Sequence, residues 1–453
     1  VKTGGRSRLS WVHMGSPCAS WPIATEEGFM TASPQRHSAD VIVVGAGPAG
    51  CTAAHYLALA GHDVLLLEKG VFPRDKICGD GLTPRAVKEL VDLGLSVGGD
   101  GWIRTRGLRV HGSGTTVEMP WPGGGPFPDF GLVRSRMDLD HLLARKSVAS
   151  GALLIEGTKV TEPLVDPTTG RICGVVAQQN GATRTYRAPL VVAADGASSR
   201  LAVALGLQQR KDRPMGVAVR RYYTAPHHDE DFLEAWLDLE TRDSRNRTYM
   251  PFGYGWVFPV GRGEFNVGLG TFHIGVKPKI DHRQLFREWT ARLAPAGHFD
   301  EAHALGPLRG APLPAGLNRC PLYTRGLLLT GDAGGMINPL SGEGIDYAME
   351  SGRLAAEAVT RAFARPTAHA REEALLAYPE IIRDAYGRYF TVGRLVVHAL
   401  GHPAVMKLVA TKALRRPTLR RFMFKLWVNL ADPYSKDALD RVITVLQRAV
   451  PAA

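Results

Sequence analysis

An α/β fold is predicted, in which a parallel sheet flanked by helices carries a second, antiparallel sheet and a helical C-terminal region. Three observations predict it. Residues 39–70, ADVIVVGAGPAGCTAAHYLALAGHDVLLLEKG, read as a buried strand, a glycine turn, an Ala/Leu-rich helix and a second buried strand, which is a βαβ unit. Between Met215 and Phe272 the runs GVAVRRYY, YGWVFPV and EFNVGLGTF alternate as antiparallel strands do. From about Thr367 onward the pattern is mainly helical.

The remaining elements follow in chain order. Residues 1–38 show neither helical nor strand period and lack the apolar core of a secretory signal, so they read as a disordered tail. The stretch from Arg74 to Gly131 is rich in Gly and Pro, as in WPGGGPFPDFG. LVRSRMDLDHLLARKSVASGALLIEG then reads as a helix followed by a strand. ICGVVAQQ and APLVVAAD, on either side of a polar turn, read as a short meander returning to the sheet. GLLLTGDA is a further strand, and a long helix is expected after Gly344. No repeat of fixed period is present, which excludes a solenoid or propeller.

Composition narrows the class. The chain has 453 residues, 45% hydrophobic and 22% charged, as globular proteins do. Its five cysteines are scattered, which argues against a disulfide framework and against a zinc site, and suits a reducing cytoplasm. No window reaches the roughly 20 apolar residues of a membrane span. The net charge of +12 admits nucleic acid, anionic lipid or a phosphorylated partner. Nucleic acid is not expected, because no binding module accompanies the charge.

Gly45-Ala46-Gly47-Pro48-Ala49-Gly50 fits G-x-G-x-x-G, follows the strand VIVV and opens a helix, the Rossmann-type context that gives the pattern its meaning. Gly45 permits the turn, Gly47 lets backbone approach a pyrophosphate, Gly50 lets helix and strand pack, and the helix N-terminus offers unpaired N–H groups beside Ala49. Glu68, with Lys69 beside it, ends the next strand, where a carboxylate accepts hydrogen bonds from the hydroxyls of an adenosine ribose. A 2′-phosphate would be repelled there, so the site suits FAD or NAD.

Later residues favour FAD. Gly331-Asp332 follows a strand and precedes AGGMINPLSGEGIDYAMESGRLAAEAV, which resembles the second flavin fingerprint of glutathione-reductase-like proteins. Asp332 can bond the ribitol or pyrophosphate region, and the N–H groups of Gly344 and Ile345 can face the flavin, where a helix dipole stabilises negative charge. Ala194-Asp195-Gly196 resembles the DG motif of aromatic hydroxylases, and Arg134 with Asp138 matches their R-x-x-L/M-D element; Arg134 is expected to reach the adenosine or pyrophosphate.

Four stretches carry a wider resemblance: the glycine fingerprint, FPRDKICGDGLTPRAV, YGWVFPVGRGEFNVGLG and GDAGGMINPLSGEGIDYAMESGRLA. Over about 39–365 the chain resembles the geranylgeranyl reductase family, which has the p-hydroxybenzoate-hydroxylase-like fold and reduces prenyl double bonds with reduced FAD. With WPGGG and LPAG it is most similar to the actinobacterial branch acting on the tail of menaquinone. The resemblance implies a discontinuous FAD domain at 39–110, 132–213 and 320–366, a substrate domain at 111–131 and 214–319, and a helical region at 367–453. It also implies an isoprenoid lipid or quinone as substrate and a separate electron donor, which the sequence leaves open among NAD(P)H, ferredoxin and a membrane donor.

Tyr254, Trp256 and Phe258 alternate along one strand and so share a face. They read either as plain core or as the wall of a site. An unconjugated alkene has no carbonyl to take up negative charge, so a hydride must be accompanied by a proton, and aromatic faces suit the cationic character that develops. The resemblance implies that Tyr254 and Trp256 shape the substrate, and that Cys78, in the loop Cys78-Gly79-Asp80-Gly81, acts beside the flavin. The glycines imply unusual backbone or close ligand approach. Cys51 and Cys173 read as packing residues.

Near the C-terminus, Lys407, Lys412, Arg415, Arg416, Arg420, Arg421 and Lys425 interleave with apolar residues. Such a segment either contacts the inner face of the membrane or forms the solvated side of a bundle over the substrate channel. Two other functions compete: a flavin monooxygenase or epoxidase of the same fold, and a silent flavin-containing isoprenoid carrier.

Overall fold

Val41–Val44 and Val64–Leu67 are wholly apolar and wholly buried, as strands covered on both faces must be. In the computed structural model they pair in parallel at the middle of a six-stranded sheet. Its order is Tyr323–Thr324, Leu327–Leu329, Leu190–Ala193, Val41–Val44, Val64–Leu67, Leu153–Ile155, with only the first pair antiparallel. The structure describes residues 36–453 except 124, 227, 229, 230, 243–245, 247, 275–279, 298, 403, 404 and 406–414. Nearly all of the 1–38 tail, with Lys407 and Lys412, lies outside the described residues.

Helix Pro48–Leu59 follows the glycine turn and packs against helix Ile345–Phe363. Gly352 permits that approach, since a Cβ there would lie 2.3 Å from the Ala49 carbonyl oxygen. Ile172–Gln179 pairs antiparallel with Ala182–Arg187, so the polar turn expected between ICGVVAQQ and APLVVAAD is itself largely a strand, and Leu190–Ala193 joins the parallel sheet rather than the meander.

The second sheet has seven strands, in the order Ala304–Pro314, Met215–Thr224, Glu264–His273, Gly253–Gly261, Phe232–Trp236, Gly107–Gly112, Thr115–Pro120. It is antiparallel except where Phe232–Trp236 runs parallel to Gly107–Gly112. These two strands are separated in sequence by several other elements, Leu153–Ile155 and Leu190–Ala193 of the parallel sheet among them, so no hairpin constrains their direction. Gly107–Gly112 pairs along its whole length, so the break expected between 110 and 111 falls inside a strand. The Gly/Pro-rich stretch from Arg74 to Gly131 also holds helix Pro84–Asp92.

Strand Gly253–Gly261 has two distinct faces. Val257 packs into a core with Phe286 and Trp289 of helix His282–Gly297. Gly255 is required beneath that helix, where a Cβ would lie 2.4 Å from Trp289. Tyr254, Trp256 and Phe258 therefore face the other way, toward the parallel-sheet side of the molecule.

Candidate active site

A cavity of about 470 Å³ takes its wall from both sheets and from the end of helix Pro417–Trp427. Among its lining residues are Gly45, Gly47, Ala49, Glu68, Lys69, Cys78, Gly79, Asp195, Asp332, Gly344 and Ile345, together with Tyr254, Trp256 and Phe258.

The polar part is built on the first βαβ unit. Gly45 adopts φ +97°, and a Cβ there would lie 2.5 Å from the Ala194 carbonyl oxygen. Gly47 faces open space and caps helix Pro48–Leu59 without a side-chain bond, leaving the helix N–H groups directed outward. Glu68 is buried; it accepts hydrogen bonds from the N–H of Ala46 and of Gly70, each at 2.8 Å. Arg74 bridges Glu68 at 3.2 Å to Asp140 at 2.8 Å. Asp195 accepts from the Arg200 N–H through Oδ2, while its Oδ1 is buried without a partner. Burial raises the Asp195 carboxyl above the ordinary carboxylate range.

The loop Cys78–Gly81 is latched onto the seven-stranded sheet. Asp80 is fully buried at φ +67°, so the unusual backbone falls on the aspartate between the two glycines. Its Oδ2 accepts from Tyr222 Oη at 2.6 Å and from Asn266 Nδ2 at 2.7 Å, and its Oδ1 from the Arg136 N–H at 3.0 Å. Asn266 Nδ2 also donates to the Cys78 carbonyl oxygen at 2.7 Å, and Asn266 Oδ1 accepts from Trp256 Nε1 at 3.0 Å. The close approach predicted for the glycines is made to aromatic rings: a Cβ on Gly79 would lie 3.3 Å from Trp256 and Phe258, and one on Gly81 3.0 Å from Phe258. Arg136 forks onto Asp140 at 2.6 and 2.9 Å; burial disfavours its charge, but Asp140 and Cys78 more than compensate and raise its pKa.

Across the cavity wall, helix Ile345–Phe363 begins at Gly344 with no side-chain cap. Tyr254 Oη donates to the Ser341 carbonyl oxygen at 2.6 Å, and burial, then Glu343 and Cys78, raise its pKa. Ring centroids of Tyr254 and Trp256 are 6.2 Å apart and those of Trp256 and Phe258 6.3 Å. Trp427 stands edge-on to Tyr254 at 5.4 Å and donates to the Leu340 carbonyl oxygen at 3.1 Å.

Residues 38–386 match the family model described as FAD binding domain. The chain is 36% identical over 407 residues to a menaquinone reductase of Mycolicibacterium smegmatis, covering 89% of this chain and 95% of that one. It is 32% identical over 354 residues to a digeranylgeranylglycerophospholipid reductase of Methanocella arvoryzae, covering 77% and 84%. The fold matches a geranylgeranyl bacteriochlorophyll reductase-like protein of Thermoplasma acidophilum with a TM-score of 0.72 at 22% identity, over 91% of this chain and all of that one. The chain belongs to the geranylgeranyl reductase family of FAD-binding proteins.

The residues of this family member fit FAD. Uncapped helix N-termini at Gly47 and Gly344 both open on the cavity and suit an anion and an electron-rich ring. Glu68 retains lone pairs beyond those used by Ala46, Gly70 and Arg74, and Asp195 Oδ1 is an orphaned acceptor.

Two predicted binding residues are not part of the cavity lining. Gly50 acts through packing: a Cβ there would lie 1.8 Å from the Gly45 carbonyl oxygen. Arg134, expected at the adenosine or pyrophosphate, bonds Asp138 one helical turn on and stacks 4.6 Å over Trp102. Arg74 and Arg136 line the cavity instead. Lys425 departs from the reading of an interfacial cation, because it is buried and paired with Asp440 at 2.7 Å and Asp437 at 2.9 Å. Asn266, Tyr222 and Trp427 had no role in the sequence reading; only the aromatic pattern of the C-terminal segment hinted at Trp427.

Proposed function

We propose that this protein saturates isolated C=C bonds of an isoprenoid chain, the tail of menaquinone being the substrate best supported. The observation that carries the reading is one cavity walled both by the dinucleotide fingerprint and by Tyr254, Trp256, Phe258 and Trp427. The similarity to menaquinone reductases over most of their length supports the choice of tail.

Reduced FAD supplies a hydride when bound. The chain does the rest. Glu68 and the helix start at Gly47 hold the dinucleotide, with Asp195 and Asp332 along it. Tyr254, Trp256 and Phe258 present ring faces and edges to the alkene, where cationic character is favoured by π-systems. Trp427 closes the wall and excludes water, which strengthens electrostatic interactions inside. Cys78 is held beside Arg136, positioned by the Asp80–Asn266 latch.

NAD(P)H, ferredoxin and a membrane donor are each compatible with this reading as the source of electrons. Among the described residues no helix is long and apolar enough to cross a membrane. A peripheral contact at the inner face of the membrane suits the exposed Arg415 and Arg416 beside Leu419, and the exposed Val442, Val445 and Leu446 of helix Ala438–Arg448.

Expression in a host that makes fully unsaturated menaquinone tests the function. Mass spectrometry of extracted quinones should show tails heavier by two hydrogens per reduced bond. Unchanged quinones with altered geranylgeranyl lipids would redirect the substrate, and oxygen insertion would favour the monooxygenase.

A further inference from the structure

Saturating an unconjugated alkene requires a proton as well as a hydride, and Tyr254, Asp80 and Glu343 are among the titratable groups that line the cavity. Tyr254 Oη is engaged with the Ser341 carbonyl oxygen, and its proton is made harder to release by burial. Asp80 spends both carboxylate oxygens accepting hydrogen bonds. Glu343 differs. It lines the cavity, its Oε1 accepts from Thr83 Oγ1, and its Oε2 is buried without a partner.

Its surroundings favour the protonated form. The groups that face it are Arg85 on helix Pro84–Asp92, Asp346 and Tyr347 on helix Ile345–Phe363, Tyr254 on the seven-stranded sheet and Tyr389 on helix Arg388–Leu400. Arg85 pairs with Asp346 at 3.2 Å and with Glu350, so its single charge is already shared. Desolvation pushes the Glu343 carboxyl up to about 7, and Asp346 is also raised well above the carboxylate range by burial and then by Glu343.

Positions 346, 350, 353 and 357 recur at helical spacing and so share one side of helix Ile345–Phe363, and Glu343 immediately precedes the Gly344 N-cap of that helix. Along it Asp346 is fully buried, Glu350 is 16% exposed and Glu357 42% exposed. Arg353 ties Glu357 at 2.9 Å to Glu350 at 3.9 Å and to Glu89 at 3.8 Å.

We propose that Glu343 is the proton donor of the reduction, an assignment that rests on the reductase reading above, and that this acidic helix side returns its proton from solvent. In the step, the alkene π bond breaks. One new C–H bond takes the Glu343 proton, and the other takes a hydride with its electron pair from the reduced cofactor, leaving a Glu343 carboxylate and oxidised cofactor. Arg85 and the Thr83 hydroxyl hold that carboxylate until Asp346 reprotonates it.

Anaerobic single turnover of dithionite-reduced holoenzyme with a prenyl alkene, followed by flavin absorbance across pH, tests the assignment. The wild-type rate should fall as pH rises through about 7. Glu343→Gln should lose about 10²-fold in rate together with that pH limb, while Glu343→Asp keeps the limb. Both variants should still bind FAD, read from the flavin absorbance of the purified holoenzyme. Infrared difference titration of the holoenzyme should show a protonated-carboxyl band that disappears near the same pH and is absent from Glu343→Gln. A Glu343→Gln enzyme with the wild-type rate and pH limb overturns the assignment, as does a missing titrating band. Wild-type enzyme that saturates no alkene removes the reductase reading itself, a failure distinct from one in which wild type turns over and Glu343→Gln matches it.

Discussion

Asn266 on the seven-stranded sheet and Asp80 in the loop after the first βαβ unit are joined side chain to side chain, with Asn266 Nδ2 2.7 Å from Asp80 Oδ2. The same amide holds the Cys78 carbonyl oxygen and the Trp256 indole, so one side chain couples the loop to the aromatic wall. Asn266→Leu should strand buried donors and acceptors at a cost of about 1–3 kcal/mol, read as a lower urea midpoint. It should also shift the flavin absorption envelope as the loop loosens. An unchanged midpoint and spectrum would mean the latch is dispensable.

Gly268 lies opposite Trp256 in register, and a Cβ there would sit 2.2 Å from Trp256 Cζ2. Gly268→Ala should therefore push the indole into the cavity. Because misplacement of about 1 Å in a site can cost ~10²-fold in rate, the expected result is a large fall in alkene turnover with full FAD content. Retained turnover would show that Trp256 does not shape the substrate.

Removing charge at Glu68 should weaken cofactor retention. Hydrogen bonds to a charged group contribute about 1.5–3 kcal/mol, so Glu68→Gln should release FAD at least about tenfold more readily, measured by the fluorescence of freed flavin. Equal retention would place the ribose elsewhere.

Trp427→Ala should open the wall without disturbing the fingerprint. Reduced enzyme should then be reoxidised by oxygen faster than wild type, with tail saturation diminished. Unaltered reoxidation would assign Trp427 to packing alone.

Glu234 sets an acid limit on the fold. Burial raises this carboxyl, but hydrogen bonds and charge from His111 and His228 outweigh it, with Arg109 at 3.0 Å, so its pKa lies below the ordinary value. A depressed carboxyl adds stability that is present above about pH 4.5 and lost as pH falls below it. Thermal unfolding midpoints should drop in that range for wild type, and Glu234→Gln should be less stable at neutral pH with a shallower acid decline. Parallel pH profiles would contradict this.

Much of the cofactor end was legible in the sequence because its determinants are local. Gly45 to Gly50, Glu68 and the Gly344 helix start each lie within one strand–turn–helix segment, and the Tyr254, Trp256, Phe258 face follows from strand alternation. What was not legible depends on contacts distant in sequence: Asp80 meets Asn266 186 residues on and Tyr222 142 residues on. Trp427 enters from a C-terminal helix whose position no local pattern specifies. Arg134, expected at the adenosine or pyrophosphate, pairs with Asp138 four residues on, a contact the sequence spacing alone does not announce. Glu343 sat in plain view between two glycines, but its unpartnered oxygen and the shared charge of Arg85 exist only in the folded chain.

The central claim is that reduced FAD in this cavity delivers hydrogen to an isolated isoprenoid double bond. Purified holoenzyme reduced with dithionite under strict anaerobiosis, mixed with unsaturated menaquinone and quenched after one turnover, tests it most directly. Mass spectrometry of the tail should show a gain of two hydrogens at one isoprene unit, concurrent with flavin oxidation. A tail of unchanged mass beside flavin that stays reduced would contradict it.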